Sequence, residues 1–279
     1  MPNKLTIALT APGMMGAGIG ARLTAHGCRV IVPLADRSLA SRERAAQAGM
    51  EGADWGDLGR ADMILSVVSP EHAEATAERV AAANPGSRAI YVDLNAITPA
   101  RAERIAAVTG SAGLRFSDGG IIGPPPREGG REPVLYLSGP AAVEAAGLRA
   151  YGLRTEALRG GVGEASALKL SYAGITKGLA ALGATMMLAA SRAGVEEQLL
   201  AELNLSQSHL AQGFARSVPD MLPKSGRWVS EMHEIADFIG PDMPEEGIYR
   251  AIAQLYERLF DAHRADGDEA EILRDLTGR

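Results

Sequence analysis

Short apolar runs alternate with alanine-rich amphipathic segments along residues 1–160. The runs are short and continuous, as expected of strands that are buried on both faces of a parallel sheet. They lie at 5–11, 29–34, 63–68, 89–94, 114–117, 134–137 and 153–158. The segments between the early runs have the residue spacing of amphipathic helices. One of these predicted helices begins with Thr98-Pro99, an N-cap residue followed by proline at the first helical position. The alternation predicts an α/β fold with a Rossmann-type, doubly wound parallel sheet.

The pattern changes at Gly163. Residues 164–192 contain no proline and have continuous helical character, and helical periodicity continues to the last residue. Interruptions at Val218-Pro219 and Gly240-Pro241 predict helix ends, because proline lacks the amide N–H that a helix interior needs. We therefore predict two domains, a Rossmann domain over 1–160 and an all-helical domain over 161–279.

Composition narrows the class of protein. A formal net charge of −6 argues against a nucleic-acid surface and against a polybasic membrane patch. Cys28 is the only cysteine, which excludes internal disulfides and a cysteine-rich zinc site, and the histidines lack metal-ligand spacing, so we predict no metal. No apolar run is long enough to span a bilayer, there is no signal peptide before the first strand, and we expect a cytoplasmic protein.

The first strand passes directly into a glycine-containing helix start. The sequence Ala-Pro-Gly-Met-Met-Gly at 11–16 matches the dinucleotide fingerprint G-x-G-x-x-G except at its first position. A helix N-terminus offers free N–H groups and the positive end of its dipole to a phosphate. An ordinary strand–helix turn with incidental glycines is the alternative. The predicted cofactor contacts are Ala11, Pro12, Gly13, Met14 and Met15.

The end of the second strand bears on cofactor choice. Asp36 falls twenty residues after Gly16, near the position of the acid that binds the adenosine ribose in NAD enzymes. Arg37 and Ser38 form a cation–hydroxyl pair suited to the 2′-phosphate of NADP. We favour NADP over NAD. The alternative is that Asp36 or Ser38 only caps the next helix.

Three further stretches follow predicted strands. Val68, Ser69 and Asn95 lie at carboxyl ends of strands, where parallel sheets bind ligands, and are predicted to line the cofactor cleft. The glycine-rich stretch 118–123 precedes three prolines, and its backbone N–H groups are suited to hold a substrate carboxylate. A rigid surface loop is the alternative. The predicted substrate contacts in this stretch are Asp118, Gly119, Gly120, Ile121 and Ile122.

Lys169 is the candidate catalytic residue. It stands among apolar neighbours on the long predicted helix, with Tyr172 one turn further on the same face. A lysine in such a setting suits a general acid or base near neutral pH, because burial disfavours its charged form. A solvated lysine on a connecting helix is the alternative.

The order of these features resembles the β-hydroxyacid dehydrogenase superfamily, which includes 3-hydroxyisobutyrate and 6-phosphogluconate dehydrogenases. The runs 118–126 and 227–232 resemble a branch whose C-terminal half is related to 6-phosphogluconate dehydrogenase. The resemblance implies an NAD(P)-dependent dehydrogenase acting on the CH–OH group of a small 3-hydroxy acid. It also implies Lys169 as the catalytic acid/base and a homodimer formed through the helical domain. We predict Tyr172 as a hydrogen-bonding partner in place of the family's asparagine, and Arg227, within a cluster of polar side chains at 224–233, as a carboxylate contact.

Two departures from the family keep other functions open. The serine of the family's glycine-rich stretch is Ile122 here, and the asparagine one turn after the lysine is Ala173. An imine reductase on the same fold is one alternative, although such enzymes usually lack this lysine. An NAD(P)-binding module without turnover is another.

Overall fold

The computed structural model describes residues 4–127 and 129–278. The chain divides into two compact units, Met1–Leu170 and Ser171–Arg279. In the described part of the first unit, eight strands form one sheet in the order β3-β2-β1-β4-β5-β6-β7-β8. The strands are β1 (Thr6–Leu9), β2 (Arg29–Pro33), β3 (Glu51–Ala53), β4 (Met63–Ser66), β5 (Ile90–Asp93), β6 (Arg115–Ile122), β7 (Val134–Ser138) and β8 (Arg154–Ala157). All neighbouring pairs are parallel except β6 and β7, so the predicted α/β fold is confirmed.

Helices cover the sheet and then make up the second unit. They are α1 (Met14–Ala25), α2 (Leu39–Gln47), α3 (Ala73–Ala83), α4 (Pro99–Ser111), α5 (Ala142–Ala145), α6 (Glu164–Ala193), α7 (Glu196–Ser206), α8 (Ser208–Met221), α9 (Ser225–Ile239), α10 (Glu246–Arg264) and α11 (Asp268–Leu276). Short 3-10 helices lie at Trp55–Arg60, Pro70–His72, Ala146–Tyr151 and Leu222–Lys224. As predicted, the described residues after the sheet contain no strand.

The sheet has one hydrophobic core on each face. Ile7 and Val30 belong to the core on one face, and the adjacent residues Ala8 and Ile31 belong to the core on the other. Continuous apolar runs satisfy both cores at once, because successive side chains of a strand point to opposite faces. The edge strand β3 was not predicted, since its three residues are at least partly exposed and lack an apolar run.

The strand order reverses between β1 and β4, and the carboxyl ends of these strands flank the crevice where such sheets bind nucleotides. A second feature of the same edge is the length of β6. The last residue of β5, Asp93, pairs with Asp118, and the following residues 119–122 continue as strand against β7 alone. The predicted strand end at Ser117 is therefore extended by five residues.

The boundary between the two units lies inside α6, at Leu170 and Ser171. The sequence predicts it near Gly160-Gly161, where the helical character begins. The difference has a physical reason, which is that the first turns of α6 are hydrogen-bonded to the sheet, as described below.

In the second unit, α6 has one buried face, lined largely by alanine, and one exposed apolar face. Ala180, Ala184 and Leu188 are buried, whereas Ile175 and Leu182 are exposed. By length and composition alone α6 is apolar enough to cross a membrane, but half of its most apolar window is buried inside the protein, as in the core helix of a helical domain.

One predicted helix end in the second unit is wrong. Pro219 lies inside α8, which continues to Met221; the proline lacks an N–H and forgoes one helical hydrogen bond but does not end the helix. The other predicted break is confirmed, since α9 ends at Ile239, directly before Gly240 with its positive φ of 106°.

Candidate cofactor site and active site

The turn after β1 is built to receive an anion. Gly13 caps α1 without a side-chain hydrogen bond, and the first turn of the helix carries no acidic residue. The N–H groups of Met14 and Met15 have no acceptor within the described chain. They point out of the helix start together with the positive end of its dipole.

The two glycines of this turn, Gly13 and Gly16, are suited to their positions for different physical reasons. A Cβ atom on Gly16 would stand 2.3 Å from the carbonyl oxygen of Ala11, so only glycine allows α1 to lie this close to β1. A Cβ atom on Gly13 would meet nothing within 4 Å, and the backbone there has a conformation open to any residue. The fold itself does not require glycine at position 13. A pyrophosphate lying against the backbone would require it, because a side chain there would occupy the space of the phosphates. The predicted cofactor turn therefore fits a dinucleotide.

Three arginines surround this turn. Arg37 donates from Nη2 to the carbonyl oxygen of Thr10 at 2.8 Å, and Arg44 donates from Nε to that of Pro12 at 3.0 Å. Arg42 holds the loop after β2 by donating to the carbonyl oxygens of Ala35 at 2.8 Å and of Arg37 at 3.0 Å. Burial, with the nearby charge of Arg79, lowers the pKa of Arg37. The loop thus concentrates positive charge where the adenosine end of a dinucleotide lies.

Asp36 and Ser38 are engaged with the protein. Asp36 pairs with Arg79 at 3.2 Å, and the Arg79 guanidinium lies 4.3 Å from the ring centre of Trp55. Ser38 caps α2, because its Oγ accepts from the N–H of Ser41 at 3.3 Å, so the capping alternative is confirmed for Ser38. A cavity of about 400 Å³ lies beside the Asp36–Arg79 pair. Its lining includes Asp36, Arg37, Trp55, Val68, His72 and Arg79. Its place beside the dinucleotide turn and its aromatic wall suit an adenosine.

A buried network fixes the ends of β4 and β5. The side chain of Asn95 accepts from the N–H of Val68 at 2.7 Å, and donates to Ser66 Oγ and to Asp93 Oδ2, both at 3.0 Å. Burial, with the charge of Asp118 on the neighbouring strand, raises the pKa of Asp93 to about 7, although the bonds from Asn95 oppose this. The Asn95 amide thus positions the Val68 backbone, while Ser69 next to it is exposed.

Asp118 has a different task from the predicted one. It is fully buried, and its Oδ2 accepts from Ser138 Oγ at 2.9 Å, from the N–H of Gly163 at 3.1 Å and from the N–H of Ser166 at 3.0 Å. Its Oδ1 accepts from Ser166 Oγ at 2.6 Å. The N–H of Ala165 donates to Ser138 Oγ at 3.0 Å. The carboxylate therefore holds the start of α6 and is not open to a substrate.

Lys169 reaches the sheet at Gly120. A Cβ atom on Gly120 would stand 2.7 Å from the carbonyl oxygen of Ala165 and 2.8 Å from Lys169 Cβ, so glycine is required for α6 to pack here. Lys169 is half-buried, and its ammonium group makes no hydrogen bond or ion pair with the described residues of the first unit. The structure brings the predicted catalytic lysine onto the predicted substrate strand.

The other members of the glycine-rich stretch differ in exposure. A Cβ atom on Gly119 would strike Leu94, and the Ile121 side chain lies in the hydrophobic core, so both present only backbone to a ligand. Ile122 is half-buried at the end of β6. The proline loop then folds against α1, where Pro126 contacts Gly18. Glu128 in this loop lies outside the described residues.

The remaining predicted residues belong to the second unit. Tyr172 is exposed on α6, and Arg227 is exposed on α9 without a partner in the described chain. Neighbouring side chains on α9 are engaged, since Glu231 pairs with Lys177, whose ammonium lies 4.8 Å from the Trp228 ring centre.

Sequence reasoning missed several residues that build the site. Arg79 lies on α3, and only the fold brings it to the loop after β2. Arg44 lies on α2, directly after that loop, and only the fold brings it to the carbonyl of Pro12. Ser138 and Ser166 gave no signal, because a single serine at a strand end or within a helix is common. The missed residues are Thr10, Arg44, Trp55, Arg79, Ser138 and Ser166.

Comparisons with known families agree with this architecture. Residues 6–132 match the NAD binding domain of 6-phosphogluconate dehydrogenase. Residues 190–259 match a domain of unknown function, DUF1932. A search of curated proteins finds no match. The first match confirms a nicotinamide-dinucleotide-binding domain over most of the predicted Rossmann domain.

Solved structures share the fold over nearly the whole chain. Conserved protein MTH1747 of unknown function, described as structurally similar to 3-hydroxyacid dehydrogenases, is 27% identical with a TM-score of 0.74, over 95% of this chain and 100% of that one. The 3-hydroxyisobutyrate dehydrogenase of Mycobacterium tuberculosis, solved with L-serine, is 18% identical with a TM-score of 0.72, over 98% and 99%. A reductive aminase from Aspergillus terreus, in complex with NADPH and ethyl levulinate, is 18% identical with a TM-score of 0.58, over 98% and 100%. The two less similar structures show the fold alone.

Proposed function

We propose that this chain, a member of the β-hydroxyacid dehydrogenase superfamily, is an NAD(P)-dependent oxidoreductase that interconverts a small hydroxy acid and its oxo form. The observation that carries the proposal is the placement of Lys169 against Gly120, on the strand two places from the nucleotide crevice. An ammonium group at that edge of the sheet is positioned for acid/base work on a bound substrate.

The first unit supplies the groups for the cofactor. The N–H groups of Met14 and Met15 bind the pyrophosphate, the open space at Gly13 admits it, and the loop held by Asn95 lines the nicotinamide side. The bound cofactor supplies the hydride acceptor or donor for the substrate carbon. We propose NADP as the preferred form, because Arg37 and its arginine neighbours leave an excess of positive charge for a 2′-phosphate.

Lys169 carries the proton transfer. In the oxidative direction its neutral amine accepts the proton of the substrate hydroxyl, and in the reductive direction its ammonium donates a proton to the carbonyl oxygen. The backbone of 119–122, which continues beyond the end of β5, is the proposed contact for the substrate carboxylate. Arg227, in the second unit, stays a predicted carboxylate contact. The apolar Ile122 and the buried Ala173 favour a substrate with few polar groups.

The second unit supplies a surface for a second copy of the chain. Five exposed apolar residues recur alternately three and four positions apart on α6: Tyr172, Ile175, Leu179, Leu182 and Met186. This is the heptad spacing by which two helices pack along a common seam. We propose that the protein is a homodimer through this stripe.

The test is cofactor reduction with a panel of small 3-hydroxy acids, run with NADP and NAD in parallel. We expect turnover in the wild type and a loss of about 10³-fold or more in Lys169→Met, with NADP binding retained. Lys4→Met is the matched control, because Lys4 is an exposed lysine that precedes β1 at the opposite edge of the sheet. Equal rates in Lys169→Met and Lys4→Met would remove Lys169 from the mechanism.

The same panel separates the alternative functions. Turnover of imines, or of ketones mixed with amines, without turnover of any hydroxy acid would favour an imine reductase. Tight NADP binding without turnover of either class would favour a binding module.

A further inference from the structure

The start of α6 has no capping residue of its own. The four residues before the helix are Gly160, Gly161, Val162 and Gly163, none of which has a side chain that can accept a hydrogen bond. The first N–H groups of a helix need acceptors, and most helices obtain them from a Ser, Thr, Asp or Asn at the N-cap. Here the acceptors come from the sheet, from Asp118 on β6 and Ser138 on β7.

A cap supplied from the sheet fixes the helix to the sheet. Asp118 accepts four hydrogen bonds, three of them from Gly163 and Ser166. It does so as a fully buried side chain without a cationic partner in the described chain. A negative charge at a helix N-terminus is stabilised by the dipole and by N–H donors, which offsets the cost of burying it.

Lys169 lies one turn beyond these bonds. Ser166 and Lys169 are three residues apart and therefore neighbours on the helix surface. On the strand, Asp118 and Gly120 are two residues apart and therefore on the same face of the sheet. The helix is thus attached to β6 at two successive points, by hydrogen bonds at Asp118 and by close contact at Gly120.

We propose that Asp118 is a positioning residue for Lys169, whose buried carboxylate fixes the first turn of α6 and so sets where the lysine ammonium lies at the edge of the sheet. This inference rests on the proposed function only for its kinetic readout. The link from Asp118 to Lys169 is geometric, through the first turn of α6.

The experiment compares three variants of the full-length protein. Asp118→Asn keeps the shape and removes the charge and one acceptor. Ser166→Ala removes one of the four bonds and leaves the charge in place. Ser117→Ala is the control, because Ser117 is equally buried and adjacent on β6, but its hydroxyl bonds only to backbone carbonyls.

Two readouts are measured in each variant. The first is kcat and KM on a hydroxy acid, with the Kd for NADP. The second is labelling of Lys169 by acetic anhydride as a function of pH, quantified by mass spectrometry, which needs no turnover. We expect Asp118→Asn to lower kcat about 100-fold with the Kd for NADP within about threefold, since small misplacements of a reacting group have such effects. We expect the rate of Lys169 labelling to differ from that in Ser117→Ala, because the ammonium group is displaced when the start of α6 moves.

The outcomes are distinct. If Asp118→Asn or Ser166→Ala has the same kcat and the same labelling curve as the control Ser117→Ala, the inference is overturned. If the wild type turns over no hydroxy acid, the proposed function fails, while the labelling curves still decide whether Asp118 acts on Lys169. If Asp118→Asn does not fold, Ser166→Ala decides: we expect about a tenfold lower kcat and altered labelling from the lost bond.

Discussion

Lys169 and Gly120 touch across the interface between α6 and β6, and the space between them has no room for a methyl group. A Cβ atom at position 120 would stand 2.8 Å from Lys169 Cβ and 2.7 Å from the carbonyl oxygen of Ala165. The glycine therefore brings the helix, and the lysine it carries, within reach of the sheet edge where parallel sheets bind ligands.

Gly120→Ala is expected to displace Lys169. The added methyl forces helix and strand apart, which should lower the free energy of unfolding by about 1–3 kcal/mol and lower kcat by about 10- to 100-fold. Urea unfolding and steady-state kinetics measure the two effects. Gly110→Ala is the matched control, because a Cβ atom there meets nothing within 4 Å, and it should stabilise α4 by about 0.4–1 kcal/mol. Wild-type kinetics in Gly120→Ala would contradict the tight packing.

The two glycines of the dinucleotide turn are expected to separate binding from stability. Gly13→Ala should change the free energy of unfolding by less than about 1 kcal/mol and raise the Kd for NADP about tenfold or more, because its methyl occupies space that the protein leaves open. Gly16→Ala should cost about 3 kcal/mol or more, because its methyl meets the Ala11 carbonyl. Calorimetric titration and urea unfolding test both, and equal effects of the two changes would refute the assignment.

Arg37 is expected to select NADP. Arg37→Ala should raise the Kd for NADP about 10- to 100-fold, as for a lost hydrogen bond to a charged group, and change the Kd for NAD much less. Arg60→Ala is the control, since Arg60 is highly exposed and pairs only with Asp57 among the residues described. Fluorescence titration with both cofactors gives the four constants. Parallel losses for NADP and NAD would instead mean that Arg37 supports the turn through Thr10.

Asp93 is expected to make stability depend on pH. Its pKa is raised from 3.8 to about 7 in the folded protein, so between these values the folded state binds more protons than the unfolded state. The free energy of unfolding should therefore fall as pH rises from about 4 to about 7, by up to roughly 4 kcal/mol from this group, and then level off. Urea unfolding from pH 5 to 8 should show a steeper fall in the wild type than in Asp93→Asn. Identical slopes would argue against a buried, titrating carboxyl group.

The stripe on α6 is expected to hold two chains together. Leu179→Glu and Leu182→Glu place a charge in the seam and should convert a particle of twice 29.1 kDa into the monomer in light scattering. Leu205→Glu is the control, because Leu205 on α7 is 83% exposed and stands apart from the stripe. A wild-type protein that is monomeric at micromolar concentration would rule out the dimer.

The sequence predicted the elements whose signal is local. Strands buried on both faces are continuous apolar runs, and α1 and the start of α4 carry their own boundary residues, so these were found close to their observed limits. The fingerprint at 11–16 could be recognised without its first glycine, because Gly16, the glycine that close packing of α1 against β1 requires, is present.

The parts that escaped prediction depend on residues distant in the chain. Asp118 resembled a substrate ligand because its strand ends in glycines, but the uncapped start of α6, forty-five residues later, uses its oxygens. Arg79 reaches Asp36 only because α3 crosses back over the sheet. Pro219 lies two residues before the end of α8, so the local rule that proline ends a helix misplaced this boundary.

The shared helix α6 also constrains how this protein can be recombined. A hybrid joined in the glycine-rich loop before Glu164 takes the start of α6 from another parent, so the buried Asp118 carboxylate keeps its donors only if that helix begins at the same place on the sheet and carries a hydroxyl at position 166. A buried charge that loses its donors costs several kcal/mol, so a chimaera whose new helix start does not reach Asp118 should fail even when each half matches a stable parent. Exchange of helical halves between relatives is therefore expected to succeed only at junctions that keep the first two turns of α6 with the sheet.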